Sequence, residues 1–228
     1  MKGLPVPEHP SEAIAAALSD IEKDETAMLD RALALIRAYD GAVYGFDLLV
    51  NAAMNRSLAV STGFRTLIRD RNMICAGTLL RLQLDTALRL FAGFIVEDPH
   101  DFAFEVLKGA HIRRLKDQTG EFMTDRYLVT QLEEKYPGVK SVYEKTSAYV
   151  HLSDVHISST FDGANREKGA IGIKISASDK QYPDTVYLDA ISAFRSVTLI
   201  LSSYVDGWHY TKTNPEKVAA MKAEREKQ

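Results

Sequence analysis

One stretch limits what this chain can fold into: Arg71 to Val96, RNMICAGTLLRLQLDTALRLFAGFIV. Its apolar residues run nearly all the way round a helical projection, which marks a helix enclosed by others rather than one lying on a surface. Three charges interrupt it, Arg81, Asp85 and Arg89. Their i, i+4, i+8 spacing puts a cation–anion–cation ladder on one face. The stretch is long enough to cross a bilayer, but three central charges make that expensive. The expectation is a soluble, cytoplasmic protein with no membrane partner.

Composition supports a packed domain. With 46% hydrophobic and 26% charged residues over 228 positions, the chain can bury a core and global disorder is excluded. The net charge of −3 gives no overall nucleic-acid signature. Its distribution is uneven: residues 56–116 carry 10 basic and 6 acidic side chains, between two acidic ends. Such blocks read first as ordinary surface variation and only weakly as a pointer to an anionic partner. Cys75 is the only cysteine, so there is no intrachain disulfide and no zinc-finger site, and it reads as a small core residue. The first twenty residues have no clean apolar run and do not read as a signal peptide.

Periodicity and punctuation divide the rest into helices. Residues 1–10, with Pro5, Pro7 and Pro10, form an extended lead-in. Ser11 caps a helix that runs to about Tyr39, and Asp40-Gly41 breaks it. A second helix covers about Ala42 to Arg69, with Gly63 as a candidate kink. After the central helix, Asp98-Pro99 starts another. Gly109 and Gly120 bracket a basic stretch, His111 to Asp117, read as a solvated loop with phosphate contact as the alternative. Thr124 caps the helix Asp125–Lys135, and Val139 to His151 is again helical. Residues 158–168 read as a loop. Alternation of Ile171, Ile173 and Ile175 predicts a half-buried strand, pairing with Thr185–Leu188. Asp189 then caps a last long helix reaching Trp208, before a charged tail. The fold class is therefore mainly α: a helical bundle with a small β-hairpin, about 170–188, before the last long helix. One domain spans 11–211, and 212–228 is the tail.

Chemistry concentrates on two stripes. The second, Tyr143, Ser147 and His151, repeats the i, i+4, i+8 spacing of the ladder. If the two helices pack together, one site gathers two guanidiniums, a carboxylate, a phenol, a hydroxyl and an imidazole. Arginine offers a planar fork of donors suited to phosphate or carboxylate, and histidine moves protons near neutral pH. Asp85 then either holds the arginines or fixes the tautomer of His151. The competing reading is that the ladder only specifies packing. His151, Asp154 and His156 are of metal-ligand type. On a continuous helix, however, His151 and His156 point about 140° apart, so no metal and no cofactor is expected. GxxxxGK[ST], GxGxxG, GxSxG and HExxH are all absent, which removes the common nucleotide-loop, hydrolase and zincin signatures.

TLLRLQLDTALRLF resembles the helix with an LLR-xxx-acidic pattern in bacterial proteins related to the HEPN superfamily. YEKTSAYVHLS resembles their later helix with its Ser-xxx-His pattern. The resemblance covers about residues 40–160. It implies a helical bundle, a homodimer, and RNA or a nucleotide as ligand. Metal-independent ribonuclease activity is also implied, carried by an Arg and a His four to six residues apart. His151 would act as general acid or base on the 2′-hydroxyl, beside Ser147. Arg81, Arg89 or Lys145 would stabilise the phosphate, with Asp85 and Tyr143 in the binding set. Lys145 stands where the family pattern has Arg. It keeps the charge but lacks the bidentate fork, which counts against catalysis. The alternative is a non-catalytic helical interaction module whose polar ladder is structural; a small-molecule or metal binder ranks behind it. Independently of the resemblance, the apolar surface of the hairpin and last helix points to a homodimer.

Overall fold

A computed structural model describes residues 10–165, 169–176, 179, 182–218 and 220, the side chains of 162–165 and 170 excepted. The architecture is mainly helical: α1 (Glu12–Arg37), α2 (Gly45–Arg69), α3 (Met73–Ala92), α4 (Pro99–Leu107), α5 (Asp125–Lys135), α6 (Val139–Val150), α7 (Asp154–Ser159), strands β1 (Phe161–Asn165) and β2 (Ala170–Ile173), and α8 (Asp184–Thr213).

Side-chain caps start the helices where the sequence offers them. Ser11 accepts from the Ile14 N–H at 3.4 Å. Asn72 accepts from Cys75 at 3.1 Å, Asp98 from His100 and Asp101, and Thr124 from Tyr127. Each satisfies a donor that the helix itself leaves open. Between α1 and α2, Tyr39, Asp40 and Gly41 all take positive φ, which reverses the chain within three residues.

The central helix lies at the middle of the bundle, packed against α2, α8, α6 and α5. Leu80, Leu84, Ala87, Leu88, Leu90 and Ala92 are buried, whereas the outer residues of the apolar stretch lie beyond the helix ends at Met73 and Ala92. One polar residue sits inside that packing. Gln83, with no exposed surface, donates to Ser57 of α2 and Thr198 of α8 at 2.6 and 3.0 Å, fixing the register of three helices. A second polar anchor lies at one end of the bundle. The side chains of Asp47 and Lys212 are 3% and 2% exposed and 2.9 Å apart. Asp47 also accepts from the Trp208 indole at 2.6 Å and the Tyr44 backbone N–H at 2.8 Å, and Lys212 donates to the Leu35 carbonyl. These bonds tie the end of α1 to the start of α2 and the end of α8.

Several expectations change. The hairpin exists, but its partner strand lies upstream: β1 pairs antiparallel with β2, Phe161 opposite Ile173. Thr185–Leu188 is the first turn of α8 instead, because Asp184 and not Asp189 supplies the acid at the helix start. From there Tyr187, Ala190, Ile191 and Phe194 follow helical spacing into the core. The last helix therefore contributes no spare apolar face. By length and composition α8 could cross a membrane, yet half of its most apolar window is buried inside the bundle. Gly63 does not break α2, and Cys75 is exposed rather than in the core. The lead-in up to residue 9 and residues 221–228 of the tail lie outside the described residues.

A close approach joins α3 to α6. A Cβ on Gly77 would meet Tyr149 Cγ at 2.5 Å, near the root of the ring, where rotation gives no relief. Burial, with Tyr182 and Asp179 nearby, pushes the Tyr149 phenol above its ordinary value. Gly77→Ala is expected to cost about 1–3 kcal/mol through overpacking. Urea denaturation checks this; an unchanged midpoint would mean that α6 docks elsewhere.

Candidate functional site

The site is built where α3, α5 and α6 meet. Arg81, Asp85 and Arg89 point from α3 toward α5 and α6, their side chains 12%, 21% and 23% exposed. Thr78, one turn before Arg81, donates to the carbonyl of Tyr149 at 3.1 Å and so keys α6 against α3. Tyr143, Ser147 and His151 then face the ladder. Both stripes line one cleft of about 390 Å³, together with Leu82, Asp125 and Val150.

The charges do not pair as their spacing alone suggests. Asp85 bridges Arg89 on its own helix at 3.1 Å and Arg56 of α2 at 3.3 Å. Arg81 turns away from Asp85 to Asp125 of α5, at 3.1 Å. Asp125 also takes Arg89 through its other oxygen. The guanidinium of Arg81 lies over the Tyr143 ring, 4.5 Å from its centroid, a cation–π contact. The result is one continuous network, Arg56–Asp85–Arg89–Asp125–Arg81–Tyr143, crossing four helices. Asp125 suits its place because it is the first residue of α5, where the helix dipole favours a carboxylate. One donor in the network, Nη1 of Arg89, is buried without a hydrogen-bond partner among the described residues.

His151 ends α6. It takes an extended conformation, φ −112° and ψ 147°, and is exposed at the cleft. Ser147 donates to the Tyr143 carbonyl at 2.7 Å, which leaves its lone pairs to accept. Asp85 is committed to the two arginines and does not orient His151. Lys145 is exposed and lies about 200° round the helix from Tyr143, two residues on at ~100° each. It is thus kept apart from the other six candidates, which the fold gathers.

The helix does end between His151 and His156, the condition for their convergence, yet they separate. His156 lines another cleft, beneath the hairpin with Asp179, and its Nδ1 accepts from the Ser153 N–H at 3.3 Å. Among the described residues no group of three or more His, Cys, Asp or Glu side chains is placed to hold a metal. The basic stretch forms a 3-10 turn, Ile112–Arg114, with His111, Arg113, Arg114 and Lys116 exposed.

Asp125 and Arg56 are the partners that sequence reasoning missed. An acid opening a capped helix is common, and nothing in the local pattern of α5 assigns it to α3. Asp125→Ala is expected to cost about 1–3 kcal/mol, because Arg81 and Arg89 both lose a hydrogen-bonded charge while partly buried. Asp85→Ala should cost less, since Arg89 keeps Asp125 and Arg56 is half in solvent. Chemical denaturation of both variants checks the order, and the reverse order would show that Asp85 is the main counter-charge.

Comparison with family models, with curated proteins and with solved structures returns no match to this chain.

Proposed function

We propose that the cleft between α3 and α6 binds the phosphate of RNA or of a nucleotide, and that this HEPN-like protein binds without cleaving. The observation that carries the reading is the charge balance of the network. Three guanidiniums, Arg56, Arg81 and Arg89, face two carboxylates, Asp85 and Asp125. The cation held most loosely is Arg56, 44% exposed and attached to Asp85 at 3.3 Å. A phosphate oxygen can take its free donors in the bidentate manner that suits guanidinium. His151 adds a donor at the cleft mouth, and the exposed His111–Lys116 stretch offers further contacts to a longer chain.

Cleavage needs a second group beside the imidazole to stabilise the developing charge. Lys145, the family-pattern candidate, lies on the far side of α6, and Arg81 is already shared between Asp125 and the Tyr143 ring. This favours binding over catalysis. The double pairing of Asp125 supports the other reading, a helical interaction module in which the ladder only fixes packing.

The same reading takes the chain as a cytoplasmic homodimer. Ile171, Ile173 and Ile175 of the hairpin are 62%, 72% and 93% exposed, with Phe161 and Leu152 beside them in the chain's exposed apolar set. A surface of that character is rarely left open on a monomer, and the free edges of a two-stranded sheet suit pairing across a two-fold axis.

Fluorescence anisotropy with labelled mixed-sequence RNA, repeated across a salt series, tests the ligand. Binding should weaken as salt rises. Arg56→Ala should weaken it about tenfold, the value of one hydrogen bond to a charged group, with the RNA intact after prolonged incubation. Salt-independent or absent binding would favour the interaction module. RNA cut by the wild type and spared by His151→Ala would restore the enzyme. Light scattering should give twice the 25.4 kDa chain mass, and Ile173→Lys should return it to one chain.

A further inference from the structure

The end of the bundle opposite no part of the network described above holds a second cavity, of about 290 Å³, at the buried Asp47–Lys212 pair. Its walls are aromatic. Tyr44 and His100 have ring centroids 5.8 Å apart, and His100 and Trp208 lie 5.6 Å apart at 70°. Val218, just beyond α8, closes one side. Rings set at such angles form a box that accepts a planar aromatic group by stacking and edge contacts. The volume is at the lower end for ligand sites, which limits the occupant to a single small ring system.

Charge decides the rest of the occupant. Lys212 lines the cavity, whereas Asp47 does not. The Asp47 oxygens are taken by the Trp208 indole, the Tyr44 N–H and Lys212 itself, so the carboxylate stands behind the lysine and is shielded from the cavity. Lys212 spends two of its three donors on Asp47 and the Leu35 carbonyl. His100 accepts from the Phe46 N–H through Nδ1 at 3.3 Å. The neutral ring therefore carries its proton on Nε2 and has that donor left. The cavity thus presents an ammonium, an imidazole N–H and aromatic faces, with its one nearby carboxylate already saturated. A cationic ligand would meet Lys212 and gain nothing from Asp47, while an anionic head finds a charge held in position in advance.

We propose that this cavity binds a small aromatic carboxylic acid, its ring among Tyr44, His100 and Trp208 and its carboxylate on Lys212 and His100. The site is separate from the α3–α6 cleft, and the proposal does not depend on RNA binding.

Trp208 is the only tryptophan of the chain, so its emission reports this cavity and no other. The full-length protein is titrated with phenylacetate, benzyl alcohol and benzyltrimethylammonium. Phenylacetate should change the Trp208 emission saturably. The alcohol and the cation should bind at least about tenfold more weakly, the worth of one charge-assisted hydrogen bond. The double variant Asp47→Asn with Lys212→Met removes both buried charges together and leaves neither unpaired. In it, phenylacetate should bind no better than benzyl alcohol. If this variant fails to fold, the wild-type selectivity decides alone. No saturable change with phenylacetate, equal affinity for acid and alcohol, or tighter binding of the cation would each overturn the proposal.

Discussion

The enclosure of α3 is the constraint from which the rest follows. A helix packed against four others has few directions in which a charged side chain can find a partner, and a buried charge without one is costly. Arg81, Asp85 and Arg89 therefore all emerge on the side shared with α5 and α6, where partners are within reach. The helix supplies only one carboxylate for two guanidiniums, so the deficit must be met from outside. Asp125 meets it from the start of α5, and Arg56 completes the other end from α2. The polar cleft is thus a consequence of burying α3, and its position in the fold is set by where that burial runs out.

The same logic separates what was legible in the sequence from what was not. Helix starts were readable because capping is local: Ser11, Asn72, Asp98 and Thr124 each bond a backbone donor within three residues. The two stripes were readable because spacing places side chains on one face, and facing stripes on packed helices share a cleft. Partner choice was not readable. Arg81 sits four residues from Asp85, the geometry of an intrahelical pair, yet it takes Asp125, forty-four residues on, because the two are brought together only by packing. Lys145 shows the converse. Sequence distance to His151 matched a pattern, but rotation about the helix axis set it on the other face.

The hairpin and the last helix illustrate a competition between local signals. Thr185–Leu188 has strand-like composition, and alternation in Ile171–Ile175 invited a downstream partner. The acid at Asp184 and the apolar positions continuing at helical spacing through Phe194 weigh more, since a thirty-residue amphipathic helix buries far more surface than four residues of ladder. Once Thr185–Leu188 joins α8, β2 must pair upstream. Its isoleucines are left facing outward and not onto the bundle.

The bond from Lys212 to the Leu35 carbonyl spans 177 positions of the chain, and its pair with Asp47 spans 165. α8 also covers α3 and α1 along its length. During synthesis, then, the core helix emerges long before the element that shields it. Until about the last twenty residues leave the ribosome, one apolar side of α3 has no native cover. Such a chain cannot complete its core while it is being made. Its nascent form has to be kept from aggregation by something other than its own fold, and truncation near the carboxyl end removes a keystone, not an appendage.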